Sequence, residues 1–289
     1  MADITAPMVK DLRERTGLGM MDCKKALVEA NGDAELAIEN LRKSSGMKAA
    51  KKAGRTAADG LIGLKIEGGI AAMVEVNCET DFAGRDSNFL GFVETVTNAV
   101  FEAKQTDIEA LLAAGIESVR ETLVQKIGEN VSVRRAAVFE STATGTVASY
   151  VHTNGKIGVL VKLEGGDEAL GRDIAMHVAA ANPQVVSGAD VDEDVIAKER
   201  EIYVAQAADS GKPPEIVEKM VEGRIRKFLA EISLVEQAFV KDPDIKVSAL
   251  LKKAGATVVE FVRYEVGEGI EVEEVDFAEE VKRQIGGDS

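Results

Sequence analysis

A segment in the body of this sequence returns, without a gap, 87 residues later. Gly68 through Asp86 laid over Gly155 through Asp173 pairs Gly68 with Gly155, Ile70 with Ile157 and Val74 with Val161. It also pairs Gly84-Arg85-Asp86 with Gly171-Arg172-Asp173, while Met73/Leu160 and Val76/Leu163 are apolar in both copies. Self-similarity at a fixed offset marks one supersecondary unit used twice, so the body reads as two related halves. In the first copy, Leu61–Ile66 and Ile70–Val76 alternate like strands and meet at Gly68-Gly69, which predicts a hairpin. A helix is then expected from about Ser87, carrying Phe89, Phe92, Val93 and Val96.

One stretch inside the repeat disagrees. Cys78-Glu79-Thr80-Asp81-Phe82 lies opposite Gly165-Gly166-Asp167-Glu168-Ala169, so the first half sets an aromatic ring where the second has a methyl. A shared scaffold with one divergent loop is how a function-bearing loop looks, because loops change without disturbing the core beneath them. Two readings of that loop stand side by side. Thr80 or Asp81 caps the next helix while Phe82 tucks into the core. Alternatively Phe82 is an exposed anchor that fills a partner's pocket, worth roughly 1.5–3 kcal/mol by burial, and Asp81 competes electrostatically at a site holding phosphates or a metal.

The flanks are helical. Thr5 is expected to cap a helix through Arg15 with Ile4, Val9 and Leu12 as its stripe, and Gly17-Leu18-Gly19 breaks it. A second helix spans about Met21 to Ala30 and stops at Asn31-Gly32; Asp33 caps a third presenting Leu36, Ile38 and Leu41. Lys48, Lys51 and Lys52 are expected on a short basic helix of their own, read as a solvated face, with Gly54 and Gly60 bracketing the exit. Met20-Met21 fits core filler as well as an adaptable contact surface flanked by Arg13 and Lys24. After Asn182-Pro183 a helix with Val195, Ile202 and Val204 runs from Val191 to about Ala208, Ser210–Pro214 turns, and a second helix runs from Glu215 to about Ala230. The short turn implies a protruding antiparallel hairpin. A strand over Val258–Val266 and an amphipathic stretch over Phe277–Ile285 close the chain.

Composition removes whole classes of function. At 289 residues, two or three modules are expected. The net charge of −15, with 4% aromatic residues and no Trp, disfavours nucleic acid and anionic membranes, since phosphate contacts need cations and bases need stacking platforms. That charge is uneven: residues 1–55 hold eleven Lys and Arg against eight Asp and Glu, a net of +3, which leaves −18 for the rest. Cys23 and Cys78 are too few for a disulfide framework or a four-ligand zinc site. His177 falls on an apolar helix as a packing residue, and His152 sits at a hairpin end, as a turn residue or a partner contact. Neither histidine joins a nucleophile or a metal motif, and no glycine cluster ends as a phosphate-binding loop does, so no enzyme, cofactor or metal is expected. Without a leader or a run of ~20 apolar residues, the chain reads as soluble and cytoplasmic.

Longer motifs carry a family likeness. Lys10-Asp11-Leu12-Arg13-Glu14-Arg15-Thr16-Gly17-Leu18-Gly19-Met20-Met21-Asp22-Cys23-Lys24-Lys25-Ala26-Leu27 and Val76-Asn77-Cys78-Glu79-Thr80-Asp81-Phe82 resemble the two signatures of the elongation factor Ts family. Lys126–Asn130, Ala175–Ala180, Gly211-Lys212-Pro213 and Arg263–Ile270 continue the likeness in the same order. The resemblance implies an α+β fold: a ubiquitin-associated-like helical domain over 1–55, related core subdomains over 56–141 and over 142–188 with 231–266, a coiled-coil hairpin over 189–230, and a C-terminal module over 267–289. It implies a non-enzymatic guanine nucleotide exchange factor for elongation factor Tu. Thr80, Asp81 and Phe82 would enter near the magnesium site of that GTPase, Arg13, Met20 and Met21 would be N-domain contacts, and Ile127, Gly128 and His152 further core contacts. A homodimer and a two-to-two complex with the GTPase both fit the hairpin. The competing expectation is a ubiquitin-associated-like binding module on an inert scaffold. Where many members follow Asp-Phe with Val-Ala-Arg or Val-Ala-Lys, this chain has Ala83-Gly84-Arg85, which is expected to add backbone freedom.

Overall fold

A computed structural model describes residues 3–208 and 213–271. The chain opens with three helices, α1 (Ala6–Thr16), α2 (Met20–Glu29) and α3 (Ala34–Lys52). They close over Val9, Leu12, Leu18, Cys23, Leu27, Ala37 and Leu41. Gly17, at φ 68°, ends α1 in the left-handed conformation that glycine adopts without Cβ strain. Thr5 occupies the cap position of α1 but its side chain makes no cap bond; a proline in the first turn starts the helix instead. Asp33 does cap α3, accepting from the N–H groups of Glu35 and Leu36.

Two expectations for α3 are corrected. Its buried residues are Ala37, Leu41, Ser45 and Ala49, whereas Leu36 is exposed. There is no separate basic helix, because Lys48, Lys51 and Lys52 are the last turns of α3 itself. Spacing by four carries the buried stripe off the three-helix core and onto the body, where Ala49 joins the core under the first sheet.

That sheet comprises β1 (Asp59–Glu67), β2 (Ile70–Cys78) and β3 (Val131–Glu140), antiparallel with β2 in the centre. A second sheet has β4 (Gly145–Val151), β5 (Ile157–Glu164) and β8 (Thr257–Glu265), with β5 in the centre. Between β2 and β3 lie the single turn α4 (Asp81–Gly84), α5 (Ser87–Ala103), the turn α6 (Ile108–Leu111) and α7 (Glu117–Ile127). The expected helix α5 buries Phe89, Phe92, Val93 and Val96 against the first sheet. In the second half, α8 (Glu168–Ala181) covers the sheet in the same way through Ile174, Ala175 and Val178.

The repeat is structural in detail. Each central strand faces a bulge in its outer neighbour, Arg134 of β3 opposite the Glu75/Val76 step of β2 and Val259 of β8 opposite the Lys162/Leu163 step of β5, steps that lie 87 positions apart. Met73 and Leu160, also equivalent, are both fully buried in one cluster with Ile62, Ala71, Ala137 and Val147, where the outer faces of the two sheets meet. Gly158 permits that approach, since a Cβ there would lie 2.5 Å from Ile62 Cγ2.

From α8 the chain leaves through α9 (Glu193–Ala208) and α10 (Pro214–Ile232) and returns by the small pair β6 (Ala238–Phe239) and β7 (Asp242–Lys246) and by α11 (Val247–Lys253). The α9/α10 seam is Ile196, Tyr203 and Ala207 against Val217, Val221, Ile225 and Leu229. Val195, Ile202 and Val204, the apolar residues noted along this helix, are exposed, because the seam follows a different phase of the helix. Residues 210–212 of the expected turn and the stretch Phe277–Ile285 lie outside the described residues. Among those described, no helix is long and apolar enough to cross a membrane.

Candidate functional site

The loop after β2 answers both readings of Thr80-Asp81-Phe82, each for a different residue. Thr80 is a cap: its hydroxyl accepts from the Ala83 N–H at 3.3 Å and starts α4. Phe82 is not in the core; its ring is 80% exposed. Asp81 is half-exposed and pairs with Arg85 at 2.9 Å, a surface contact of small energetic weight.

The loop is braced from outside. Glu129, in the connection from α7 to β3, accepts from the backbone N–H of Glu79 at 3.1 Å, the N–H of Thr80 at 3.0 Å and the Thr80 hydroxyl at 2.6 Å. Asn130 N–H returns a bond to the Glu79 carboxylate at 2.6 Å. The expected freedom at Ala83-Gly84 is thereby corrected. Both residues are buried within α4, and Gly84 has no left-handed φ, so the corner is held as part of the packed helical turn; a Cβ on Gly84 would meet Asp59 Oδ1 at an ordinary contact distance of 3.5 Å. Beneath them the Cys78 thiol is pushed up to about 12 by burial and then by the charges of Asp59 and Glu129, which leaves it a protonated core group.

The other sequence-selected residues follow along one rim. Gly128 ends α7 at φ 85°, and its carbonyl accepts from Lys52 Nζ at the end of α3. Ile127 is half-buried against the first core. Lys126 bonds Asn88 at 2.6 Å and lies 3.5 Å from where a Gly17 Cβ would be, which brings the Arg13–Met21 corner to the same edge. There Met20 and Met21 are 59% and 75% exposed, so of their two readings the surface one fits. On the other side Lys156 Nζ bonds Asp59 Oδ1 and Gly60 O, docking the turn that carries exposed His152. The His152 ring lies against Tyr150, its Nδ1 3.3 Å from the phenol oxygen, while its backbone bonds Ile157 and Gly155 across the turn. Among the described residues no hydrogen bond or ion pair joins Asp81 or Phe82 directly to Arg13, Met20, Met21 or His152; Glu129, Lys126, Asp59 and Lys156 are the intermediaries.

Two features escaped sequence reasoning. Glu129 lay inside the quoted Lys126–Asn130 motif, but nothing in its spacing says that its carboxylate reaches back to Thr80. The Arg263–Ile270 motif is an internal clamp. Glu75, fully buried on β2, accepts from Gly267 N–H at 2.9 Å, Arg134 at 3.0 Å, Arg135 at 2.5 Å and Asn77 at 3.1 Å. Burial works to raise its pKa, yet these four donors together hold it below the ordinary carboxylate value. His177 is the packing residue expected: buried, bonded to Gln237 at 2.9 Å and to Val240 N–H at 3.1 Å, and held below its usual pKa by burial. Among the described residues no cluster of metal-ligating side chains occurs.

The family model for Elongation factor TS matches residues 79–268, from the braced loop to the Glu75 clamp. The chain belongs to the elongation factor Ts family. It is 65% identical to Elongation factor Ts of Hahella chejuensis over 289 residues, covering 99% of this chain and 100% of that one. The factor of Saccharophagus degradans is 59% identical over 284 residues, with 98% of each chain covered. That of Cellvibrio japonicus is 58% identical over 287 residues, covering 99% of this chain and 98% of its own. Membership in the family assigns the chain to the translation elongation factors.

Proposed function

We propose that this chain binds elongation factor Tu carrying GDP and promotes GDP release, with Thr80 presenting the Asp81-Phe82 turn to the magnesium and nucleotide site of that GTPase. The observation that carries the reading is a phenyl ring 80% exposed on a turn fixed by hydrogen bonds. Burying such a ring in a partner's pocket contributes about 2 kcal/mol, and a turn already ordered loses little entropy on docking. An exchange factor must bind the nucleotide-free GTPase more tightly than the loaded one, and by linkage it then weakens nucleotide by the same ratio. Magnesium bridging nucleotide phosphates demands near-ideal octahedral geometry, so a carboxylate and a ring wedged beside it disfavour the loaded state. No covalent step is asked of any side chain. Arg13, Met20, Met21, Ile127 and Gly128 on one flank, and His152 on the other, act as further contacts along the same rim.

Replacing Asp81 and Phe82 together by Ala should slow the stimulated release of a fluorescent GDP more than it weakens complex formation. Unchanged stimulation would sink the proposal. The exposed Met20 and Met21 favour a second reading, in which the three-helix module alone does the binding. Deleting residues 1–55 is a poor test, because Ala49 is part of the body's core. Met20→Ala with Met21→Ala is cleaner: loss of all affinity for the GTPase, with full activity in the loop variant, would favour the module.

A further inference from the structure

We propose that Glu129 is the positioning residue of the Asp81-Phe82 turn and that, through it, the turn and the α7–β3 connection move as one body; this rests on the exchange function proposed above. Both carboxylate oxygens are committed to the loop. One takes the backbone N–H groups of Glu79 and Thr80, and the other takes the Thr80 hydroxyl. With its hydrogen given to Glu129, the Thr80 oxygen has its lone pairs directed at the Ala83 N–H, so Glu129 also orients the cap. Bonds to an ionised acceptor are the strong ones, and three converge here.

The clasp is reciprocal and extends further. Asn130 N–H bonds the Glu79 carboxylate, and Asn130 Nδ2 donates to the Arg55 carbonyl at 2.8 Å and the Ala53 carbonyl at 3.4 Å. Lys52 closes the circuit on Gly128 O. The end of α3, the residues Gly128–Asn130 and the exposed ring thus share one network. A partner pressing on Ile127 and Gly128 bears on the same short connection that holds Phe82 in place. Among the described residues the Glu129 carboxylate bonds to nothing else, so its removal alters how the turn is presented and leaves both cores intact.

The test measures fluorescent GDP release from elongation factor Tu against rising concentrations of this protein. Glu129→Ala should lower the maximal release rate about ten-fold, the equivalent of about one charge-assisted hydrogen bond. The half-saturating concentration should stay within about two-fold, since the rest of the rim is untouched. Glu129→Gln, whose amide oxygen still accepts from the two N–H groups, should recover most of the rate. In the Asp81→Ala/Phe82→Ala background, Glu129→Ala should add nothing, because it acts through those side chains. A wild-type rate in Glu129→Ala, a loss confined to half-saturation, or a full additional loss in the double-variant background overturns the inference. If the double variant itself releases GDP normally, the exchange reading fails instead. Amide hydrogen exchange over residues 79–84 of the free protein then still decides the positioning role: faster exchange in Glu129→Ala supports it, and unchanged exchange overturns it.

Discussion

At position 82 the first half of the repeat carries an exposed ring, and at the matching position 169 the second half carries a methyl. The backbone beneath is shared closely. Thr80 caps by accepting from Ala83 N–H, and Asp167, 87 residues on, caps by accepting from Leu170 N–H. The two loops are locked differently. In the second half Gly165 lies against the Gly255 carbonyl, where a Cβ would come within 2.6 Å, and Gly166 packs on Leu170 and Ala256. In the first half a side chain from a distant connection does the holding. Backbone packed on backbone leaves nothing protruding, whereas a carboxylate brace fixes the turn from beneath and leaves its outer side free for a ring. Charge is inverted between the halves as well: Glu75 opposes Arg135 across the first sheet, and Lys162 opposes Glu260 across the second.

The halves therefore should fail unequally. Glu75→Ala removes the buried acceptor shared by Arg134, Arg135, Asn77 and the Gly267 N–H, and should cost about 3 kcal/mol in urea unfolding, the arginines keeping their bonds to Glu265 and Glu268. Lys162→Ala, whose partner Glu260 is half-exposed, should cost less than about 1 kcal/mol. The Glu75 contribution also has a definite pH window. Because its folded pKa is lowered from 4.5, the stabilisation is complete above about pH 4.5 and is lost as pH falls through the lower folded value. Wild type and Glu75→Ala should then converge in acid, and equal gaps at pH 7 and in acid would break the assignment.

Where the halves share a core they should behave alike. Met73→Ala and Leu160→Ala, both fully buried in the cluster between the sheets, should each cost about 3 kcal/mol. Their double variant should depart from additivity, which independent domains would not do. The caps come next: Thr80→Ala and Asp167→Ala should each cost about 1 kcal/mol. Only the Thr80 change should slow GDP release, and a matching effect at Asp167 would erase the functional distinction between the loops. The smallest effect on stability belongs to Phe82→Ala, within about 0.5 kcal/mol because the ring touches mainly solvent.

The tripeptide Gly-Arg-Asp shows how much of this was legible. Its two occurrences, 87 residues apart, helped define the repeat, yet they differ in structure. Asp86 accepts from the backbone and side chain of Asn88 and begins a new helix, so Gly84-Arg85-Asp86 is a joint. Asp173 pairs with Lys241 while α8 runs on through it. The residues that follow, Ser87-Asn88 against Ile174-Ala175, carry that difference. The reach of α3 was misjudged for a related cause: periodicity names apolar positions but not which of them meets a neighbour.

By itself the sequence determined what depends on near neighbours and on pattern. The strands and their turn, the helix after them, the Asp33 cap and the duplication were all readable, because alternation, spacing and turn chemistry act over a few residues. Tertiary structure alone decided that Phe82 points to solvent, that Glu129 holds Thr80 across 49 positions, and that Glu75 captures Gly267 across 192. A buried carboxylate needs donors wherever the fold brings them. The separation of those donors along the chain leaves no local trace.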